Sequence, residues 1–207
     1  MEVLWPEQPP DYPRLNRHTS RTRTTMGNGT DGQPYFPFVT DGVYRVSPQL
    51  GNDLELFTNL IKEADRTPAA AAQHLRSALE LVEGAPFTGA GNSYTWAYTD
   101  GIITHSIVAI DNAAHRLAQL ALDKVNLSEV AWAARKGLMA TGACEECYRN
   151  LMRAAIAEGN QIALEAIYTE LVAVVDAEEG PDAAGYLDPE TIELYEENTR
   201  RNRRRAG

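Results

Sequence analysis

Apolar residues recur along most of this chain at the spacing of a helix. Leu54, Phe57, Leu60, Ile61 and Ala64 open the pattern at a period of about 3.6 residues, which places them on one helical face. The same period predicts further helices over residues 68–82, about 96–124, 128–139, 145–157, 161–176 and 189–198, with no strand signal between them. Gly84, Gly137, Gly142, Gly159 and Gly180 fall at the expected breaks, and Ser128 is placed to cap a helix start. Connections this short force neighbouring helices to run antiparallel.

The segment before residue 51 reads differently. Pro6, Pro9 and Pro10 keep residues 1–12 out of a helix, because proline lacks an N–H and clashes with the preceding turn. Pro13 suits a first helical position, and a run free of Gly and Pro then reaches Met26 and stops at Gly27, predicting one helix. Residues 28–32 form a loop. Residues 35–40 and 43–46 are rich in aromatic and β-branched side chains and flank Asp41-Gly42, so a small β-hairpin is expected there. The boundaries predicted are 1–51, a helical domain over 52–198, and a basic, disordered tail over 199–207.

Within the helical domain one pattern repeats. Leu117, Ala118, Leu120 and Ala121 precede Val130, Ala131 and Ala134, and about 34 residues later Leu151, Met152 and Ala155 precede Ala163, Leu164, Ile167 and Tyr168. Small alanines alternating with larger residues at that period are what tetratricopeptide-like helix pairs use to stack. The fold class expected is therefore mainly α, built of tetratricopeptide-like antiparallel helical hairpins, with a small N-terminal helix and β-hairpin.

Composition narrows the function. At 43% hydrophobic and 23% charged the chain is globular rather than disordered. Its longest apolar runs, such as residues 171–175, are far short of the roughly 20 residues of a membrane span, and the first residues lack a signal-peptide layout, so a cytoplasmic protein without membrane insertion is expected. Charge is distributed unevenly. Residues 1–51 hold five arginines against five acids, residues 52–198 hold nine Lys and Arg against 24 acids, and residues 199–207 hold five arginines and no acid.

Asp53, Leu54, Glu55, Leu56 and Phe57 with Leu60 and Ala64, then Ala78, Leu79, Glu80 and Leu81 leading to Gly84, Pro86 and Phe87, then Trp96, and later Glu145, Glu146, Tyr148, Leu151, Met152, Gly159 and Tyr168 form an ordered series. In that order and spacing, the segment from Asp53 to Asn198 resembles the bacterial transcriptional activator domain, the tetratricopeptide-like module of antibiotic-regulatory-protein type activators. The preceding segment resembles the second half of the winged helix that stands before this module in such activators. That resemblance makes Leu4, Trp5, Pro6 and Glu7 the connector, the 13–27 segment the recognition helix, and residues 35–46 the wing. The strand layer and two helices that open a complete winged helix have no counterpart in residues 1–12, so the element is expected to be partial. The resemblance implies a transcription regulator whose helical module contacts itself or another protein such as RNA polymerase.

The candidate chemistry follows from residue types. Arg14, Arg17 and Arg21 recur at i, i+3 and i+7 on one helical face, with His18 and Arg23 beside them, no acid between Pro13 and Met26, and Leu15, Thr19, Thr22 and Met26 opposite. Guanidinium groups on such a helix grip phosphates and pair with guanine edges, while Asn16 and Ser20 offer shorter polar contacts. A solvated basic face is the other reading. Arg45 is a candidate wing contact or an exposed strand residue, and Arg200, Arg201, Arg203, Arg204 and Arg205 are a solvated tail or a phosphate attractor. Cys144 and Cys147 have the C-x-x-C spacing of half a zinc site, but no second half is visible, so they are expected to pack as small apolar residues at a helix start. His105 and His115 share a predicted helix with Asp100 and Asp111 and receive no chemistry. No nucleophile elbow, phosphate-binding loop or carboxylate pair is present, so no enzyme, cofactor or metal is expected. Trp96, Tyr98, Trp132, Tyr148 and Tyr168 read as packing aromatics. The remaining alternatives are a tetratricopeptide-like scaffold that does not bind DNA, and a metal protein or enzyme centred on the two cysteines.

Overall fold

A computed structural model describes residues 12–38, 43, 46–89, 95–179 and 186–206, except the side chains at 95, 96, 178, 179 and 201–206. The protein is mainly α, and no strand occurs among the described residues. The chain divides into two units, Met1–Leu56 and Phe57–Gly207.

In the first unit, α1 spans Tyr12–Met26 and ends where Gly27 adopts φ 70°, a conformation open to glycine at little cost. An antiparallel bridge between Asn28 and Pro34 closes the following loop, and Thr30 donates from its N–H to Gln49 Oε1 at 3.1 Å. The expected hairpin is only partly within view, since residues 39–42, 44 and 45 lie outside the described residues. Of its described residues, 35–38, 43 and 46, none lies in a strand: 35 and 36 are bends, Val43 is an isolated bridge residue, and beyond the segment Ser47 N–H donates back to Tyr35 O at 2.8 Å. Pro34 and Pro37 lack the N–H that a ladder needs. The carbonyls of Phe36 and Pro37 instead accept from Arg23, at 2.9 and 3.3 Å.

Helix α2 (Asp53–Arg66) starts at Asn52, whose side chain accepts from Glu55 N–H at 2.8 Å, and its Phe57 and Ala64 are buried in the second unit. There α3 (Ala71–Glu80) follows a single 3-10 turn at Pro68–Ala70. The long helix expected over 96–124 is broken. Thr95–Thr99 forms a short α4, Gly101 turns the chain at φ 71°, and α5 runs over Ile102–Leu122. Helix α6 (Leu127–Thr141) is capped by Asn126, which accepts from Glu129 N–H, and not by Ser128. Gly137 lies inside α6; Gly142, at φ 79°, ends it. Helices α7 (Glu145–Glu158) and α8 (Gln161–Glu179) follow. Helix α9 spans Pro189–Ala206, so its backbone continues through the run expected to be a disordered tail. Arginine is a good helix former, nothing breaks the helix before Gly207, and Arg200 pairs with Glu196 one turn earlier at 2.6 Å.

Helix α5 packs on α6 and α7, and α7 packs on α6, α8 and α9. Contacts give the directions. Asn126 N–H donates to Ala121 O at 2.9 Å at the α5–α6 turn while Gly137 lies against Ala114 further along, so these two are antiparallel. Asn160 N–H donates to Ala155 O at 2.9 Å and Tyr148 Oη donates to Glu170 at 3.4 Å, making α7 and α8 antiparallel too. Helices α5 and α7 run parallel, for Gln119 reaches Asn150 while Asp111 lies beside Cys144 and Cys147. Residues 34 apart occupy matching buried places: Leu117 and Leu151, Ala118 and Met152, Ala121 and Ala155, Val130 and Leu164. Small residues dominate the closest seam, Ala113, Ala114, Ala118 and Ala121 against Ala133, Ala134 and Gly137, where small side chains let two helix backbones approach. Each large aliphatic buried among them contributes about 1.5–3 kcal/mol.

Candidate functional site

Helix α1 buries no residue. At about 100° per residue, Arg14, Arg17, His18 and Arg21 fall within one sector of about 100°, and all four are exposed. Arg17 and Arg21 make no ion pair or hydrogen bond among the described residues. Arg23 departs from the expected set. The same arithmetic puts it about 180° from Arg14, on the half-buried side with Leu15, Thr19 and Met26, while Thr22 is exposed. Its guanidinium holds the carbonyls of Phe36 and Pro37 and lies 3.7 Å from the Phe38 ring centroid. Arg23 therefore ties α1 to the segment after it and is withdrawn from the basic face. A helical wheel drawn from the sequence carries that signal. Arg45 lies outside the described residues. The Thr19 and Thr24 hydroxyls donate to carbonyls of their own helix, Asn16 O at 3.1 Å and Ser20 O at 3.0 Å.

A second cluster lies in the second unit. Cys144 caps the N-terminus of α7, its Sγ accepting from Cys147 N–H at 3.2 Å. The two sulfurs are 2.6 Å apart; Cys147 is fully buried and Cys144 partly exposed. Asp111 of α5 joins them, one ligand atom of each residue lying within 4.8 Å of the others. The Asp111 Oδ1 atom is buried and accepts no hydrogen bond. Burial raises the Asp111 carboxyl to about 6, against a smaller lowering by a hydrogen bond from Cys144. The Cys147 thiol is pushed up, first by its contact with Cys144 and then by burial.

The expectation that the cysteines only fill space misses Asp111. An acid between Ile110 and Ala114, both buried, was the available sign. A tetrahedral zinc site takes four ligands and this group offers three. His115, one turn along α5, is engaged instead with Glu146 at 3.0 Å and with Asn150 at 3.2 Å.

A third cluster is structural. Arg149, 7% exposed, donates to Thr191 Oγ1 at 3.0 Å and to Glu146, and stands within 4 Å of Glu145, Asp188 and Glu190. These contacts fasten α9 to α7. Of the expected packing aromatics, Tyr148 is buried, Tyr168 stacks on Tyr195 at 3.9 Å, and Trp132 lies under Arg76. Tyr98 is exposed.

No described helix is long and apolar enough to cross a membrane. Comparison with protein-family models, with curated proteins and with solved structures found no match.

Proposed function

We propose that this chain is a module of a transcription regulator, a tetratricopeptide-like interaction or oligomerisation domain attached to a partial winged-helix DNA-binding element. The observation that carries the reading is the exposed face of Arg14, Arg17, His18 and Arg21 on a helix with no acid between Pro13 and Met26. Phosphates attract such a face, and the acidic helices after residue 51 repel them, so duplex contact falls to α1. The resemblance to antibiotic-regulatory-protein type activators supports the same assignment, with residues 35–46, Arg45 among them, in the place of the wing. The alternating antiparallel and parallel helix contacts, with matching buried residues 34 apart, support the tetratricopeptide-like arrangement. Its partner is a second copy of the chain or a protein such as RNA polymerase. No catalytic step is assigned to the chain on this reading, and its place of action is the cytoplasm.

Fluorescence anisotropy of labelled duplex DNA at 50 and 200 mM salt tests it. Binding should weaken steeply with salt, and Arg17→Ala with Arg21→Ala should reduce the log–log salt slope by about 2, close to 1 for each phosphate no longer neutralised. Absence of binding at the lower salt, or an unchanged slope in the double variant, overturns the DNA assignment. The reading then favoured is a tetratricopeptide-like scaffold, which the strongly acidic charge of residues 52–198 suits.

A further inference from the structure

Two junctions in the second unit repeat one geometry with different chemistry. In each, an acid on one helix faces the start of the next helix but one. Glu145 of α7 meets the first turn of α9, accepting from Asp188 N–H at 3.1 Å and from Thr191 Oγ1 at 2.7 Å. Asp111 of α5, 34 residues earlier, meets the first turn of α7, where Cys144 and Cys147 stand three apart as Asp188 and Thr191 do. Amide and hydroxyl donors satisfy the first acid. The second acid faces two sulfurs and keeps a buried oxygen with no partner.

Room for the sulfurs is built in by α6. A Cβ at Gly137 would press on Cys147 Sγ and come within 3.0 Å of Ala114 Cβ, and Asp111 Oδ1 lies 3.7 Å from the same point. The buried sulfur and the orphan carboxylate oxygen thus share one small space beside a glycine.

We propose that Cys144 and Cys147 form a redox-active dithiol that exchanges with small-molecule disulfides, with Asp111 as the proton acceptor. This rests on the cluster alone and is independent of the DNA-binding assignment. Cys144 is the nucleophile, since its sulfur is the accessible one and the Cys147 N–H directed at it goes on donating when it carries negative charge. Cys144 first releases its proton to the solvent; its thiolate attacks one sulfur of the disulfide RSSR, the S–S bond breaks, a Cys144–SR mixed disulfide forms, and RS⁻ leaves and takes a proton from the solvent. Cys147 gives its proton to Asp111, attacks the Cys144 sulfur and expels the second RS⁻, which takes up the proton that Asp111 returns through the solvent. The protein loses two hydrogens with two electrons, and RSSR becomes two thiols. The two sulfurs are already in contact, so the disulfide needs no sulfur brought from elsewhere in the chain.

The test equilibrates the full chain, reduced and metal-free in buffer, with glutathione and glutathione disulfide at a series of ratios, followed by acid quench, alkylation and intact mass spectrometry. Both alkylation sites should vanish together in one two-electron transition. Cys147→Ser should accumulate a glutathione adduct at Cys144, whereas Cys144→Ser should stay unmodified. Asp111→Asn should let the mixed disulfide build up by slowing its resolution on the order of 10²-fold, the lower range for a positioned base. Retention of both thiols under excess glutathione disulfide, or modification of Cys147 in Cys144→Ser, overturns the proposal. So does resolution at the wild-type rate in Asp111→Asn. Stoichiometric zinc in freshly purified protein, lost on either cysteine substitution, also overturns it and makes the cluster a metal site.

Discussion

Gly137→Ala sets a helix-propensity gain against a steric loss at one atom. In a helix interior alanine is favoured over glycine by about 0.8–1.0 kcal/mol. Here the added Cβ would lie 3.0 Å from Ala114 Cβ, which is fixed to the α5 backbone, and nearer still to Cys147 Sγ. Cys147 is fully buried and Ala114 cannot rotate away, so α6 must shift. Overpacking of that kind costs about 1–3 kcal/mol, with the upper half of the range appropriate where two neighbours are both immobile. The net expectation is a loss of about 1–2 kcal/mol. Urea unfolding followed by circular dichroism reads it as a lower midpoint at constant slope. Repeating the substitution in a Cys147→Ala background removes the sulfur and should recover at least about 0.5 kcal/mol as coupling between the sites. A stabilisation of about 1 kcal/mol in both backgrounds would refute the packing argument.

The remaining predictions concern charge. Because burial raises the Asp111 carboxyl from 3.8 to about 6, the folded state holds that proton more tightly than the unfolded one, and stability falls as pH rises through that window. The rise is worth about 3 kcal/mol at full enclosure, and about 1–2 kcal/mol for a half-buried group screened by solvent. Asp111→Asn should therefore be more stable than wild type by that amount at pH 7 and equal to it below about pH 4, as unfolding midpoints at the two pH values will show; an equal difference at both would exclude the titration. Cys147→Ser supplies a hydroxyl where Thr191 supplies one to Glu145, so it should flatten the same pH dependence, and an unchanged slope would show that the hydroxyl does not reach Asp111. Arg149→Ala should cost about 3 kcal/mol in urea unfolding, the lower end for breaking a buried ion pair, because its carboxylate partners are partly exposed. Burial pushes the Glu146 carboxyl up, but hydrogen bonds from Arg149 and Arg153 bring it below 4.5 overall, so its contribution is present above that pH and is lost as pH falls through the folded value. Arg149→Ala should weaken that acid limb, and a full limb in the variant would refute the assignment.

The helices were legible because their apolar residues keep one period over ten or more positions. Leu117, Ala118 and Ala121, with their counterparts Leu151, Met152 and Ala155, stand out in the sequence and all are buried. What failed was set by single residues whose effect depends on a neighbour. Gly101 breaks the long helix through its positive φ, whereas Gly137, the same residue type, sits inside α6 because Cys147 and Ala114 leave no room for a Cβ. Arg23 follows Arg21 closely in sequence yet points the other way from the α1 axis, so nearness along the chain misplaces it. Asp111 is hidden from any local window because its partners come from a helix that starts more than 30 positions on, at Cys144.

The two clusters differ in how each disposes of its charge. On α1, Arg17 and Arg21 of the exposed face gain nothing from folding, since helix α1 buries no residue and neither has a partner among the described residues. Their use lies in an external anion, or they have none. At the α5–α7 junction the helices meet as they do at α7–α9, and the structural need, an acid satisfied by donors on the next first turn, is met there by Thr191 and the Asp188 amide. Sulfur is a weak donor, so placing two cysteines opposite Asp111 leaves the fold with a carboxylate held by one weak bond from Cys144 and with a buried oxygen that has no partner. A junction selected only for packing would reduce that cost with a serine or threonine. Two sulfurs beside an acid with one oxygen left unpartnered therefore argue for the chemistry of the thiols and against their bulk.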